Sequence, residues 1–575
     1  MARRFQKFKQ VTAPMGGSRS ETVTREISAP FLGMRPDKSR HELMPGESGD
    51  MVNFLVENGR LRNFPSTSSL TNYTLPTVPS SDLWANLALF AHPTQNEIAD
   101  GNTSEYRAVA ILGPQGDSVA SVKGLFATSG WSSLPLNSAV SFNSSNPGYT
   151  TTFFRMPDIY SGGLTWMLTG GNPGLAPIVG NFDDFTSAIT PLTNFTSVAS
   201  GARLGAVFDA RIIFAFESAA NSPAGGYQQR IRWTARGTGT DFTSVGAGFK
   251  DLNEADGAIR VLHPQNDRLL ILTAKELWQA TPRRDDYAFD FNRIDAQAGC
   301  DNKRLLTDTP LGPVWLYNDS LIRLTGNSVR RLSPSLRHEL SRYHWGAIDG
   351  DVRAITYSHA RNALILFAGS LAQSSTSVYI LELNTLRALD TGEDEANWTS
   401  LNVPLTNGVV GGEKAPTSIV VSPELALNLT DTAATTPFQN PWFIPWTSSN
   451  STAIVHILNL TGGSNETAEF TTHIPEGSRD ARNFDMLREI GLDYEVVGSS
   501  VSVQIGVSRD VGASYTTVGY GLMPSGRSHI DIALTPLNAR NPIVKIAACT
   551  SGSSSTFYID RMTFTGRAFT GYRGR

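Results

Sequence analysis

The sequence predicts an all-β protein: an irregular β-propeller with an extended N-terminal arm and a C-terminal β-sandwich. Three observations predict it. The composition is turn-rich, with 51 Gly and 31 Pro in 575 residues and only 17% charged residues. That profile suits many short strands better than long surface helices, which are rich in Glu, Lys and Ala. A unit of apolar run, tight polar turn and apolar run recurs through the middle of the chain. Near residue 464 the pattern changes to clean period-two alternation.

The elements follow in order. Residues 1–28 are polar, carry Arg3, Arg4, Lys7 and Lys9 at their start, and read as aperiodic. They are expected to form an arm that orders only by docking on a neighbour, with Phe5 and Phe8 as anchors. From Ala29 to Pro65 a short apolar strand around Asn53-Phe54 meets Asn58-Gly59 and then Arg60-Leu61-Arg62. Asn-Gly between two strand-like runs is the strongest short-range signal for a tight hairpin.

Residues 29–463 are assigned to the propeller. Leu204–Phe208 turns at Asp209-Ala210 into Ile212–Phe216, and Arg268–Leu272 turns at Ala274-Lys275 into Glu276–Gln279. Pro313–Tyr317 turns at Asn318-Asp319 into Ser320–Leu324, and Asn362–Phe367 precedes Val378–Leu383. The markers Asp209, Asp267, Asp319 and Arg361 stand roughly 40–60 residues apart, near the length of a four-stranded blade with its loops. The strands are apolar at nearly every position, as needed when both faces are covered. Between two units, Arg232-Trp233 through Asp241-Phe242 to Gly248 and Leu252 reads as a Trp capping a strand and an Asp-initiated turn. An aromatic-proline loop near 437–446 leads to a last strand at Ile454–Leu458.

Residues 464–575 are assigned to the sandwich. Ser500–Ser508 and Tyr558–Phe564 alternate apolar and polar, which implies one buried and one wet face. Asp485–Ile490 is expected to form a short helix.

Composition excludes several function classes. A formal net charge of −4 gives no reason to expect a nucleic-acid-coating or membrane-surface protein. Cys300 and Cys549 are far apart, so neither a zinc cage nor a disulfide framework is indicated, and both are expected to be buried small apolar residues. No signal-peptide core follows the basic N-terminus and no apolar run is long enough for a membrane span, so a soluble chain outside the usual secretory route is expected. The Asn-x-Ser/Thr triplets, such as those at Asn194, Asn397, Asn428 and Asn459, then follow from composition alone.

Candidate chemistry is sparse. Ser508-Arg509-Asp510-Val511-Gly512-Ala513-Ser514-Tyr515 resembles the Asp-box of sialidase-type propellers, and its physics is a hairpin turn capped by Asp510. Asp285-Asp286 and Asp349-Gly350-Asp351 are read as solvated loop carboxylates, the first because adjacent strand residues face opposite ways. His338-Glu339 lacks the second His of a zinc-protease helix, and no nucleophile elbow or phosphate-binding loop is present. The cluster Arg330, Arg331, Arg337, His338 and Arg342 is read as a subunit interface. No catalytic, cofactor-binding or metal residue is assigned, and no cofactor is expected.

The run Leu43-Met44-Pro45-Gly46-Glu47, Asn53-Phe54 and Asn58-Gly59 resembles the opening of the β-propeller proteins that form the tail nozzle or tail tube of short-tailed bacteriophages. The resemblance covers residues 29 to about 465 diffusely. It implies a non-enzymatic virion subunit, assembled in the host cytoplasm into a ring, typically of six copies in such proteins. That ring would contact portal and adaptor proteins, could carry tail fibres or spikes, and would pass duplex DNA transiently through its lumen at ejection. The rival reading from another class is a glycan-binding or glycan-cleaving propeller, of depolymerase or sialidase-like type.

Overall fold

In the computed structural model the chain is all-β. The described residues lie between 20 and 569, most continuously over 194–218, 226–283, 288–318, 320–332, 486–508, 514–537, 542–550 and 555–569, and elsewhere chiefly within the strands named here. The N-terminal part supplies β1 (Ser20–Ser28), β2 (Gly33–Met34), β3 (Glu47–Ser48), β4 (Met51–Val52), β5 (Phe54–Glu57), β6 (Arg60–Asn63) and β7 (Thr67–Thr74).

Antiparallel four-stranded meanders follow. The first comprises β8 (Asp82–Phe90), β9 (Arg107–Pro114), β10 (Ser121–Phe126) and β11 (Gly130–Ser133). The second comprises β12 (Phe153–Arg155), β13 (Thr165–Leu168), β14 (Ile178–Asn181) and β15 (Thr190–Pro191). The third is β16 (Gly201–Phe208), β17 (Arg211–Ser218), β18 (Tyr227–Trp233) and β19 (Gly248–Asp251). The fourth is β20 (Ile259–Pro264), β21 (Leu269–Thr273), β22 (Leu277–Pro282) and β23 (Phe289–Asp295). After the short 3-10 turn η1 (Lys303–Leu305), the fifth is β24 (Leu306–Thr309), β25 (Gly312–Tyr317), β26 (Ser320–Thr325) and β27 (Ser328–Leu332). The sixth is β28 (Val352–Ser358), β29 (Ala363–Gly369), β30 (Thr376–Glu382) and β31 (Trp398–Val403). In the seventh, β32 (Lys414–Val420), β33 (Trp442–Trp446) and β34 (Ile454–Leu458) are completed by β7. The last strands are β35 (Ala468–His473), β36 (Met486–Val497), β37 (Val501–Ser508), β38 (Thr516–Met523), β39 (Gly526–Leu537), β40 (Ile543–Thr550) and β41 (Thr556–Phe569).

The tight turns hold their central residues at positive φ. Asn58 and Gly59, at 52° and 80°, join β5 to β6 with Glu57 opposite Arg60. Asp209 and Ala210, at 49° and 52°, join β16 to β17. The strand pairs expected from the recurring unit are all adjacent and antiparallel. The propeller expected over 29–463 is corrected: among the described residues the sheets are separate, and none closes or curls into a propeller or barrel. Short strands and tight turns complete most meanders at four strands, and apolar faces can be covered by stacking one open sheet on another without closure.

The expected helix at 485–490 is also corrected. It is the start of β36, where Leu487, Ile490, Leu492, Tyr494 and Val496 are buried. The last strands build two facing layers, but with N-terminal partners. One sheet has the order β39-β36-β41-β6-β5, with β1 also on β41; in the other, β4 links β31 of the sixth meander to β35, β40, β37 and β38. Phe54, Phe470 and Phe557 meet edge to face between the layers. Gly519 and Gly521 on β38 admit Leu534 and Ile532, which would lie within 2.7 Å of any added Cβ.

Residues 20–28, read from sequence as part of an aperiodic arm, pair with β41 of the same chain from Ser20 opposite Phe569 to Ser28 opposite Arg561. Val23, Arg25 and Ile27 alternate inward, so the segment buries side chains of its own. A register shift opposite Asp493 and Tyr494 places both Asp560 and Arg561 on the solvent side of β41. There Arg561 pairs with Asp493 and Glu26, and Asp560 with Arg60 and Arg527. His529 lies between Asp493 and Asp531, over Gly491, which has no Cβ to block it.

In the third meander, Arg232 on β18 makes two 2.8 Å bonds to Glu217 on β17, both residues buried. The neighbouring Arg230 pairs with Asp251 at 2.6 and 2.7 Å. Phe249 lies against both guanidinium groups.

Candidate functional site

The segment from Ala298 to Thr309 joins the fourth meander to the fifth, and its backbone is held closely. An added Cβ at Gly299 would stand 2.5 Å from the backbone of Ala274, so only glycine fits. The amide of Cys300 donates to the Thr273 carbonyl at 3.0 Å, and the buried Trp315 indole donates to the Gly299 carbonyl at 3.0 Å. Leu305 then donates to Asn302, which begins η1. This turn carries Asp301 and Lys303 to the side of β20, and β24 presents Asp308 opposite His263.

The result is a hydrogen-bonded chain across the seam. Lys303 Nζ lies 2.6 Å from His263 Nδ1, and His263 Nε2 lies 2.8 Å from Asp308 Oδ1. An ammonium can only donate, so Nδ1 accepts and the imidazole proton sits on Nε2, donated to Asp308. The His263 side chain is 5% exposed, whereas Asp308 is 64% exposed. A buried relay therefore ends in a carboxylate that faces solvent.

Burial, reinforced by the Lys303 charge, pulls His263 down to about 4 and keeps it neutral near pH 7. Burial also pulls the Lys303 ammonium down to about 8, against the opposing pull of Asp308, although the residue as a whole is only half-buried. Partial desolvation by the neighbouring seam pushes Asp308 up even though its side chain faces solvent, but the hydrogen bond from His263 and the positive charge behind it leave the carboxyl below its usual range. Asp301 moves the other way: burial raises it, and Arg260 on β20 only partly offsets this. Arg260 Nε is buried without a hydrogen-bond partner among the described residues. Cys300 is pushed up to about 12 by burial, which leaves its thiol unreactive.

The His263 shift predicts a pH dependence of stability. Between pH 6.5 and 4 the unfolded chain takes up a proton at this position and the folded chain does not, so stability falls as pH falls through that window. At 1.36 kcal/mol per unit the loss is about 3 kcal/mol. Urea unfolding at pH 7 and pH 4.5 should show a drop that is smaller by most of this amount in His263→Gln.

Asp301, Lys303, His263, Asp308 and Arg260 were not singled out in the sequence. Of the features that were, Asp510 with most of its box, Asp285-Asp286, Asp349-Gly350-Asp351, Arg337, His338-Glu339 and Arg342 lie outside the described residues. Arg330 and Arg331 are exposed on β27, and Arg331 donates to the Gln297 carbonyl at 3.2 Å. Asp241 makes the expected turn, accepting from the Thr243 and Ser244 amides at 3.0 and 2.9 Å; the Ser244 and Thr243 hydrogen bonds hold its carboxyl down to about 2. Trp233 donates to the Gly246 carbonyl, as a strand-capping residue would. Cys300 is buried and Cys549 half-buried, neither in a disulfide. Among the described residues no group of three or more His, Cys, Asp or Glu side chains is arranged to hold a metal ion, and no helix is long and apolar enough to cross a membrane.

No protein-family profile matches the chain, and no curated protein matches it. Among solved structures, the chain is similar to a glycoside hydrolase family 43 arabinoxylan arabinofuranohydrolase from Bacillus subtilis, at 9% identity and a TM-score of 0.22, over 87% of this chain and 99% of that one. It is similar to an exo-β-1,3-galactanase from Phanerochaete chrysosporium at 9% identity and a TM-score of 0.22, over 87% and 100% of the two chains. A third is the extracellular domain of a putative hybrid two-component system from B. thetaiotaomicron, at 9% identity and a TM-score of 0.37, over 87% and 63%. TM-scores this low carry no argument about activity. The reading as a tail nozzle or tail-tube subunit, and with it the assignment as a non-enzyme, finds no support in them and is corrected: the solved structures named here include carbohydrate-active enzymes, and none of those named is a phage tail protein.

Proposed function

We propose that the protein acts on carbohydrates and cleaves a glycosidic bond at the seam between the fourth and fifth meanders. One observation carries this reading: the exposed Asp308 carboxylate is aimed and kept ionised by the buried His263–Lys303 relay. Glycosidic cleavage uses two carboxyl groups in opposite states, and environments that push two such groups apart assign their roles. Asp301, raised by burial, is the acid that protonates the leaving oxygen as the C–O bond breaks. Asp308, held low, is the base that takes a proton from the attacking water, or the nucleophile that adds to the anomeric carbon before water releases the sugar. The anomeric form of the first product distinguishes these two routes. Lys303 and His263 are positioning residues that touch no substrate.

The test is reducing-sugar release from a panel of polysaccharides and aryl glycosides. Wild-type protein should release sugar, and both Asp308→Asn and Asp301→Asn should lose that activity while remaining folded. No release from any substrate, or release unchanged in both variants, overturns the reading.

A further inference from the structure

On the solvent side of β37, β38 and β40, across the molecule's sequence from the seam, stand two of the most exposed large apolar side chains: Tyr520 at 75% and Leu522 at 52%. We infer that this face is a saccharide-binding surface, with the Tyr520 ring as the platform on which a sugar stacks. The inference rests on the reading that the chain engages carbohydrates, and it concerns a site separate from Asp308.

The face is built for a neutral polyhydroxylated ligand. Tyr520 lies directly opposite Gln504, and Leu522 opposite Ser502. Gln504 in turn lies opposite Ala547 on β40, and its amide donates to Thr517 at 2.5 Å. Small side chains beside a standing ring leave a shallow shelf, and amide and hydroxyl groups at strand spacing can bond sugar hydroxyls while the ring covers the sugar's C–H face. A register shift at Ile505 and Gly506 adds a residue to β38 and turns Thr517 toward this side. Tyr515 lies on the sheet over Gly506, its own Cβ 3.4 Å from where a Cβ at 506 would stand.

Charge selects the occupant. Lys545 on this face is paired with Glu469 at 2.6 Å and lies 5.6 Å from the Tyr515 ring centre. The charges cancel in place, so neither a polyanion nor a basic partner is favoured, and an uncharged glycan is complementary to what remains. The glycines at 519 and 521 face inward and keep β38 flat against the other layer, which holds Tyr520 outward.

The experiment uses the full chain carrying Asp308→Asn, so that no substrate is consumed, titrated calorimetrically with soluble neutral β-glucan, xylan and galactan. Binding to at least one is expected, weakened roughly tenfold or more by Tyr520→Ala and retained in Tyr520→Phe, which keeps the ring. The unfolding midpoint of both variants should match the parent, because the side chain is exposed. Absence of binding to all three, or equal affinity with Tyr520→Ala, overturns the inference. So does a dimer that Tyr520→Ala dissolves, which would assign the face to a second copy. Binding without any cleavage by the wild-type protein keeps this face and rejects the seam as a catalytic site. Cleavage without a Tyr520 effect does the reverse.

Discussion

Asp308→Asn is expected to lower the turnover of any glycoside substrate by about 10³-fold, in the range that a positioned acid or base contributes. Asparagine keeps the shape and can still accept the proton on His263 Nε2, so the hydrogen bond of 2.8 Å and the surrounding packing survive. What is lost is the negative charge that would take the proton or attack the sugar. Lys303→Met should act differently. It removes the donor to Nδ1, frees the His263 tautomer, and should lower turnover less than Asp308→Asn while changing the pH profile. The measurement is kcat against pH for the three proteins, with unfolding midpoints alongside. An Asp308→Asn protein that is folded and fully active would remove Asp308 from the mechanism.

Glu217→Ala is expected to destabilise the fold by about 3–5 kcal/mol, the cost of leaving a buried charge without its partner. The two 2.8 Å bonds from Arg232 are the chief compensation for burying that guanidinium between β17 and β18. Arg230 lies 3.6 Å from the same carboxylate and is itself committed to Asp251. Replacing both partners, as in Glu217→Met with Arg232→Met, should recover most of the loss, because an apolar pair of similar volume carries no desolvation cost. Urea unfolding of the single and double variants measures both effects. A double variant as unstable as Glu217→Ala would show that the pair contributes through specific geometry rather than through mutual neutralisation.

The two variants differ in kind. Asp308 is an exposed group whose removal should leave the fold alone. Glu217 is a buried group with no access to substrate, and its removal should affect folding alone. A measurement of both activity and stability on each separates the proposed chemistry from the scaffold that carries it.

Local chemistry was legible in the sequence by itself. Asn58-Gly59 specifies a turn because both residues tolerate positive φ, and Val501 to Ile505 specify a one-sided strand because side chains alternate with period two. The self-bonded turn at Asp241 was legible for the same reason: its partners lie two and three residues away. What only the tertiary structure decided depends on contacts between distant segments. Residues 20–28 become a strand because β41, more than five hundred positions later, offers an edge and an apolar layer for Val23 and Ile27. Meander sheets stay separate because stacking, which no local pattern encodes, covers their apolar faces. The relay of Lys303, His263 and Asp308 has no motif at all, since 40 and 45 positions separate its imidazole from its two partners. It exists because Gly299 allows the backbone to approach Ala274 and swing the turn onto β20, where burial, not sequence spacing, sets the charge of each group.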